Sequence, residues 1–195
     1  MTSATAPSKK SNNRFLRNFL PIPARWSLPM DVRPPNFELY DVTEERIVRL
    51  SSYWEQQQPV ILAFTRIFSE KRFCPLCYPH IVALNEQYEK FTEQGAEVLM
   101  ITSTDRRQSQ QIVQDLGLKL PLLCNPSCDV FQGYACGQAL GAPLPAQFVL
   151  DRGGYLRSQH LFSFLEPNAS IERLLAALAL GETEKSTSTD SPETN

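Results

Sequence analysis

Three short apolar runs constrain the fold of this chain most, because each follows a residue that breaks regular structure. The runs are VILAF at 60–64 after Pro59, VLMITS at 98–103 after Gly95, and AQFVL at 146–150 after Pro145. The first two are almost unbroken in apolar residues, which is typical of strands covered on both faces. A sheet with both faces covered is therefore predicted at the centre of the fold.

Helical patterns separate these runs. Apolar side chains recur at helical spacing after 79–80, at Ile81, Leu84, Tyr88 and Phe91. A more polar segment follows from about 105 to 116 and ends at Gly117. Strands that alternate with helices of this length predict right-handed βαβ crossovers around a central sheet.

The last third of the chain adds a hairpin and a helix. The DRGG segment at 151–154 lies between AQFVL and YLRSQH and predicts a hairpin turn, with glycines supplying positive φ. A final helix is predicted with Asn168 or Ser170 as its N-cap and Gly181 as its end. The fold class is thus α/β, as one domain from about 34 to 180.

The two ends of the chain differ from this domain in charge. Residues 1–33 form a basic arm rich in proline and aromatic residues, with six Lys and Arg residues against one Asp. Residues 181–195 contain four acids, one Lys and no Leu, Ile, Val or Phe, so this tail is expected to be disordered. Within the arm, Phe15, Leu16, Phe19 and Leu20 could form one apolar stripe. We expect the arm to pack on its own domain or stay loose, and a peripheral membrane contact or an organelle-targeting role is the alternative.

Composition excludes several classes of function. The 195 residues include 42% hydrophobic and 21% charged residues, which is ordinary for a globular domain. No stretch approaches the roughly 18 apolar residues of a transmembrane helix. A net charge of −2 gives no general field for nucleic acid, so none is expected as a partner. With five cysteines and no standard secretory signal, we expect a reducing compartment, either the cytoplasm or an organelle stroma.

Two cysteines carry the strongest chemical signal. Cys74 and Cys77 form the FCPLC segment, which follows the VILAF strand and a short loop and is predicted to open the next helix. A thiol in a first helical turn faces unpaired N–H groups that favour thiolate, and Lys71 and Arg72 add positive charge. Residues i and i+3 share a helix face, so the second thiol can close a disulfide with the first.

From Pro34 to about His160 the chain resembles the thioredoxin-like superfamily, in its AhpC/TSA (peroxiredoxin-like) and TlpA-like branch. The resemblance rests on four segments in the same order as in that branch. They are the entry PPNFELYDVTEERIVRLSSYWEQQQPVILAF, the active-site segment FCPLCYPHIVALNEQYEKFTEQGAEVLMIT, the segment LPLLCNPSCDVFQGYACG, and the strand and hairpin LPAQFVLDRGGYL.

This resemblance implies a thioredoxin-like fold and a role for three residues. Cys74 would be the attacking thiol, Cys77 the resolving thiol, and Pro145 a cis-proline packed against their disulfide. The implied activity is thiol–disulfide exchange on a protein disulfide, with thioredoxin or glutathione as the reductant. No cofactor or metal is expected.

The sequence departs from the peroxiredoxin pattern at the groups that activate peroxide. Peroxiredoxins place Thr or Ser three residues before the reactive cysteine and Pro four residues further back, where this chain has Lys71 and Ile67. Ser69 would substitute only if the loop carries an insertion. Peroxiredoxins also have an Arg where this chain has Pro145. These departures favour disulfide exchange, with a hydroperoxide-reducing peroxidase acting through Cys74 as the alternative.

Other interpretations stay open. One is a non-catalytic adaptor that keeps the fold with inert thiols. Another is a zinc site formed by Cys74, Cys77, Cys124 and Cys128, although their spacing argues against it. Cys128 and Cys136 flank a short predicted helix, so one of them is a candidate for an extra resolving thiol. His80 lies six residues after Cys74 and is expected to be a surface or packing residue rather than a base.

Overall fold

The computed structural model describes residues 27–186, and side chains as far as Leu180, in which seven strands form one mixed sheet. The order across the sheet is β11 (Leu156–Leu161), β10 (Ala146–Leu150), β3 (Val60–Thr65), β6 (Glu97–Thr102), β7 (Leu122–Cys124), β1 (Glu38–Asp41) and β2 (Arg46–Arg49). Strands β3, β6 and β7 are parallel, while β10, β11, β1 and β2 pair antiparallel with their neighbours. The α/β class and the three predicted strands are confirmed.

Six helices and two small hairpins complete the described fold. The helices are α1 (Ser51–Glu55), α2 (Tyr78–Glu86), α3 (Tyr88–Thr92), α4 (Arg106–Leu116), α5 (Asp129–Gly133) and α6 (Ile171–Ser186). The hairpins are β4 (Ile67–Ser69) with β5 (Arg72–Phe73), and β8 (Gln138–Ala139) with β9 (Ala142–Pro143). The β4–β5 hairpin occupies the loop that the sequence predicted only as a short connection.

The side chains of β3 alternate between two cores. Ile61 and Ala63 join one cluster, which also holds Cys74 and Cys77. Val60, Leu62 and Phe64 join a second cluster, in which four aromatic rings pack together: Phe64, Phe131, Tyr134 and Phe148. Since successive side chains of a strand point to opposite faces, these clusters lie on the two sides of the sheet. Both faces are therefore covered, as the apolar runs predicted.

Helix α4 begins and ends at the residues that the sequence predicted. The Asp105 side chain accepts a hydrogen bond from the Gln108 N–H at 2.8 Å, and the Gln108 side chain accepts one from the Asp105 N–H, which completes a capping box. Gly117 ends the helix with a φ of 56°. Glycine readily adopts this left-handed backbone conformation because it has no Cβ.

Two other helix boundaries differ from the prediction. Gln87 has a non-helical backbone and divides the predicted helix over 81–91 into α2 and α3. Ile81, Leu84 and Phe91 are nevertheless all buried, so the apolar pattern of the sequence does not reveal the break between the two helices. Helix α6 continues past Gly181 to Ser186, because a glycine inside a helix costs only about 1 kcal/mol and does not by itself end it.

The end of the predicted basic arm is attached to the domain. The Asp31 N–H donates to the Leu156 carbonyl, and the side-chain amide of Gln159 bonds to both the N–H and the carbonyl of Leu28. Residues 28–32 thus lie along β11. The predicted stripe at 15–20 and residues 187–195 of the predicted tail lie outside the described residues. No described helix is both long enough and apolar enough to cross a membrane.

The predicted hairpin between β10 and β11 is present and turns at 151–155. One carboxylate oxygen of Asp151 accepts hydrogen bonds from the N–H groups of Gly153 and Tyr155, at 2.8 and 2.9 Å. Gly154 has a φ of 79° and packs against the indole of Trp54, so that a Cβ at this position would lie 2.5 Å from the ring. Both the conformation and the space require glycine here.

We expect Gly154→Ala to destabilise the protein by about 2–4 kcal/mol, since a methyl group would meet Trp54 and the backbone would be strained. Urea unfolding monitored by circular dichroism measures this change. Gly133→Ala is the matched control, because a Cβ there meets nothing within 4 Å. A loss below 1 kcal/mol in Gly154→Ala would contradict the packing described for this turn.

Candidate active site: two buried thiols beside a buried guanidinium

The two cysteines of the CxxC segment lie in a turn that follows the β4–β5 hairpin. The Cys77 N–H donates to the Cys74 carbonyl at 2.9 Å, and the Cys74 N–H donates to the Arg66 carbonyl at 3.4 Å. The prediction that both thiols occupy the first turn of a helix is wrong, because α2 begins at Tyr78 and Cys77 is its N-cap. Pro79 occupies the first turn of the helix, where the missing N–H costs nothing.

The two thiols differ in burial. All five cysteines are free, and Cys74 is 6% exposed whereas Cys77 is 1% exposed. Burial raises the pKa of Cys77 to about 12, and the adjacent Cys74 thiol, which is within hydrogen-bonding reach, acts in the same direction. The Arg66 backbone and charge act against this rise without cancelling it. Cys77 is thus held as a protonated thiol at neutral pH, next to a slightly more accessible one.

Arg66 is the residue of this site that sequence reasoning missed. It directly follows β3, is only 7% exposed, and holds its guanidinium 4.7 Å above the centre of the Phe68 ring. One guanidinium nitrogen donates to the Ala139 carbonyl, which links the site to the β8–β9 hairpin. Lys71 and Arg72, the expected sources of positive charge, are exposed on the β4–β5 hairpin. The available signal was a charged residue inserted between two buried apolar segments.

Pro145 is buried directly before β10, but it is not a cis-proline. Every peptide bond in the described part of the chain is trans, including the one between Leu144 and Pro145. The cis geometry came from the resemblance alone. Since the two isomers of an X–Pro bond differ by less than about 1 kcal/mol, the local sequence does not distinguish them.

A polar network attaches the thiol turn to the strand that follows Pro145. The Asn168 side chain donates to the Leu76 carbonyl at 2.9 Å and accepts from the Gln147 side chain at 3.0 Å. Gln147 in turn accepts from the Ala169 N–H at 2.8 Å. Asn168 was predicted only as an N-cap, whereas Ser170 takes that position, its hydroxyl accepting from the Arg173 N–H at 3.2 Å.

His80 is partly buried on the first turn of α2 and packs beside this network. Its Nε2 atom is buried and has no hydrogen-bond partner among the described residues. Burial lowers the pKa of His80 to about 4, and the nearby His160 acts in the same direction. His80 is therefore neutral at pH 7, in keeping with a packing role.

Of the other three cysteines, Cys124 packs against the same cluster as the thiol pair, whereas Cys128 and Cys136 belong to the second cluster. Cys136 is fully buried in the cluster on the opposite side of the sheet, and this burial raises its pKa. Cys124 and Cys128 are half-buried, and burial raises the pKa of each. Cys136 thus cannot reach Cys74 without unfolding part of the core. No group of three or more His, Cys, Asp or Glu side chains suited to a metal ion occurs within residues 27–180.

Comparison with known families finds one match that covers most of the chain. The model of the AhpC/TSA family matches residues 31–159. Among curated proteins, a chloroplastic peroxiredoxin Q of Suaeda salsa is 29% identical over 147 residues, which cover 74% of this chain and 65% of that protein. The thiol-disulfide oxidoreductase ResA of Bacillus anthracis is 26% identical over 88 residues, which cover 45% of this chain and 48% of that protein.

The chain therefore spans about two thirds or less of the length of these relatives. Among solved structures, the peroxidoxin BcpB of Mycobacterium tuberculosis has a TM-score of 0.67 at 20% identity, covering 78% of this chain and 97% of that one. A putative thiol:disulfide interchange protein DsbE of Chlorobium tepidum has a TM-score of 0.61 at 21% identity, covering 77% and 99%. These similarities establish the predicted thioredoxin-like fold.

The lowered pKa of His80 makes stability depend on pH. The unfolded chain binds a proton at His80 below about pH 6.5, whereas the folded protein does so only below about pH 4. The stability that neutral His80 contributes is therefore lost as pH falls from about 6.5 to 4. We expect wild type to lose on the order of 2 kcal/mol more than His80→Gln over this range.

Urea unfolding of both proteins at several pH values between 4 and 7 measures this difference. Buried carboxyls such as Asp41 and Glu97 titrate in both proteins, so their contributions to the pH dependence of stability cancel in the comparison. Equal slopes of stability against pH in the two proteins would contradict the burial of a neutral His80.

Proposed function

This chain belongs to the AhpC/TSA family, and we propose that it is a thiol-based oxidoreductase that cycles Cys74 and Cys77 between dithiol and disulfide. The observation that carries this proposal is the turn that precedes α2, in which the Cys77 N–H donates to the Cys74 carbonyl at 2.9 Å and both cysteines join one buried cluster. Peroxiredoxin Q and ResA, two kinds of relative with 26–29% identity, are named for thiol redox chemistry, which supports the same conclusion.

Cys74 is the attacking thiol in this proposal because it is the more exposed of the two. Its thiolate attacks one sulfur of a substrate disulfide, forms a mixed disulfide and releases the other sulfur as a thiolate. Cys77 then gives up its proton and attacks the Cys74 sulfur. This second step closes the internal disulfide and releases the remaining substrate thiolate. The raised pKa of Cys77 keeps it as a thiol in the reduced protein.

The internal disulfide must be reopened for another cycle. An external dithiol or thiol of the thioredoxin or glutathione class supplies the two electrons by the reverse exchange. The Asn168 bond to the Leu76 carbonyl fixes the turn between the two cysteines. Pro145 is buried directly before β10 and has a trans peptide bond. Its proposed role is to pack against the Cys74–Cys77 disulfide.

A protein is the proposed substrate class, because apolar side chains surround the thiol turn. Phe68 and Tyr78 are each exposed, and Leu76 between the cysteines is exposed as well. Exposed apolar groups around a reactive centre are typical of protein-binding surfaces. A reducing compartment, the cytoplasm or an organelle stroma, is proposed because five free thiols favour one. A peripheral membrane contact would involve the basic arm, most of which lies outside the described residues.

Hydroperoxide reduction is the second candidate, favoured by the similarity to peroxiredoxin Q. The Cys74 thiolate would attack one oxygen of the peroxide, giving a sulfenic acid on Cys74 and releasing an alcohol or water. Cys77 would then form the disulfide and release water. Lys71 and Pro145 occupy the positions at which peroxiredoxins carry a hydroxyl and an arginine, so this reaction is expected to be slow.

Serine substitutions distinguish the roles of the two cysteines. Cys77→Ser lacks the resolving thiol, so we expect it to accumulate a mixed disulfide at Cys74 with a reporter such as insulin. Cys74→Ser lacks the attacking thiol and is expected to lose at least about 100-fold in insulin reduction. Cys124→Ser is the matched control and should retain wild-type activity. Full activity in Cys74→Ser would contradict the proposal and favour a non-catalytic adaptor.

The choice of oxidant distinguishes disulfide exchange from peroxide reduction. We expect hydrogen peroxide to oxidise Cys74 about 100-fold more slowly than it oxidises an efficient peroxiredoxin, since two groups that bind the peroxide oxygens are replaced. Stopped-flow tryptophan fluorescence measures the rate, and dimedone trapping in Cys77→Ser identifies the sulfenic acid. A rate equal to that of an efficient peroxiredoxin would establish the peroxidase as the main activity.

A further inference from the structure

The two most exposed large apolar side chains of the described residues are neighbours in the turn that follows β11. Phe164 is 88% exposed and Leu165 is 99% exposed. The turn that carries them is fixed, because the Glu166 N–H donates to the Ser163 hydroxyl at 3.0 Å and the His160 ring bonds to the Glu166 carbonyl at 2.9 Å. These two side chains, the apolar tip, are therefore held out from the surface by a defined turn. Adjoining apolar side chains with this exposure are typical of a contact site.

The first described residues of the chain run along β11 towards the end from which the tip follows. The Gln159 side chain bonds to both the N–H and the carbonyl of Leu28, and the Asp31 N–H donates to the Leu156 carbonyl. Positions 28 and 31 thus meet positions 159 and 156, so the two segments are antiparallel. The direction of residues 28–31, followed backwards along the chain, leads towards the tip.

The segment Phe15–Leu20, which contains the apolar stripe of the basic arm, is close enough in sequence to reach the tip. Leu20 precedes Leu28 by eight residues, which span up to about 27 Å, whereas Leu165 lies at most about 20 Å from Gln159. The stripe and the tip are both apolar, and each would remove the other from water.

Charge and size favour the arm over a lipid surface or a second copy as the occupant. Residues 1–26 contain five Lys and Arg residues and no acid, whereas residues 27–180 carry a net charge of −4, which attracts the arm and repels anionic lipid. Two side chains offer on the order of 400 Å², about half of what each partner buries in a typical stable interface. A tethered segment needs less contact, because its effective concentration is on the order of millimolar.

We propose that Phe164 and Leu165 are the docking site for Phe15–Leu20 of the same chain, which packs its apolar stripe on these two side chains. The docked arm lies beside the thiol turn, since Asn168, three residues after Leu165, donates to the Leu76 carbonyl at 2.9 Å. The contact involves no thiol and goes beyond the proposed function.

Hydroxyl-radical footprinting of the full chain tests this contact, because it measures the exposure of individual side chains by mass spectrometry. Wild type is compared with a variant that carries both Phe15→Ser and Phe19→Ser. We expect oxidation of Phe164 and Leu165 to rise at least about threefold in this variant, as the arm leaves the tip. The reverse variant, Phe164→Ser with Leu165→Ser, should raise oxidation of Leu20 to a similar extent.

Ile47→Ser is the matched control. Ile47 is 58% exposed on β2, at the opposite edge of the sheet from β11, so its substitution should leave oxidation of the tip and of Leu20 unchanged. Equal oxidation of Phe164 and Leu165 in wild type and in the Phe15→Ser, Phe19→Ser variant would overturn the proposal.

Two other results would also overturn it by identifying a different occupant. Protection of the tip that increased with protein concentration would identify a second copy of the chain. Protection that appeared only with vesicles of phosphatidylcholine and phosphatidylglycerol would identify a lipid surface. Each result leaves the proposed function in place, because the footprint depends on no redox step of the thiols.

Discussion

Burial of β3 on both faces is the constraint on which the rest of this structure depends. All six residues of the strand are buried, its backbone pairs with β6 on one side and β10 on the other, and its side chains enter two different cores. A strand enclosed in this way offers chemistry only at its ends. At the carboxyl end the chain passes from Thr65 to Arg66 and then into the β4–β5 hairpin, which returns it to the thiol turn.

The site is assembled by elements that are distant in the sequence. The carbonyl of Arg66 accepts from Cys74, the Asn168 side chain fixes Leu76, and the Ala139 carbonyl accepts from the Arg66 guanidinium. Each contact joins the thiol region to a different part of the chain. The backbone of the thiol turn is therefore held by hydrogen bonds to Arg66 and Asn168, while Cys77 is kept from water by the core beneath it. Such an arrangement leaves the two sulfurs with different exposure to solvent.

The sequence predicted those features that depend on local pattern. Strands β3, β6 and β10, helix α4 with its Asp105 cap and the hairpin at 151–154 were all predicted, since apolar periodicity and turn residues determine them. The fold family also followed from the order of the motifs. Arg66 was missed, and Asn168 was considered only as an N-cap, because their contacts with Ala139 and Leu76 span 73 and 92 positions of the chain. The cis geometry of Pro145 and the helical start at Cys74 were wrong, because both depend on tertiary packing that no local pattern records.

A redox titration of the full chain tests the central claim most directly. The protein would be equilibrated in glutathione buffers of graded potential, alkylated, and analysed by mass spectrometry for each of the five cysteines. We predict that Cys74 and Cys77 change together as a reversible two-electron couple between about −300 and −120 mV, while Cys136 stays reduced throughout. If Cys74 and Cys77 remained reduced over the whole range, the dithiol centre would be contradicted, and with it the proposed function.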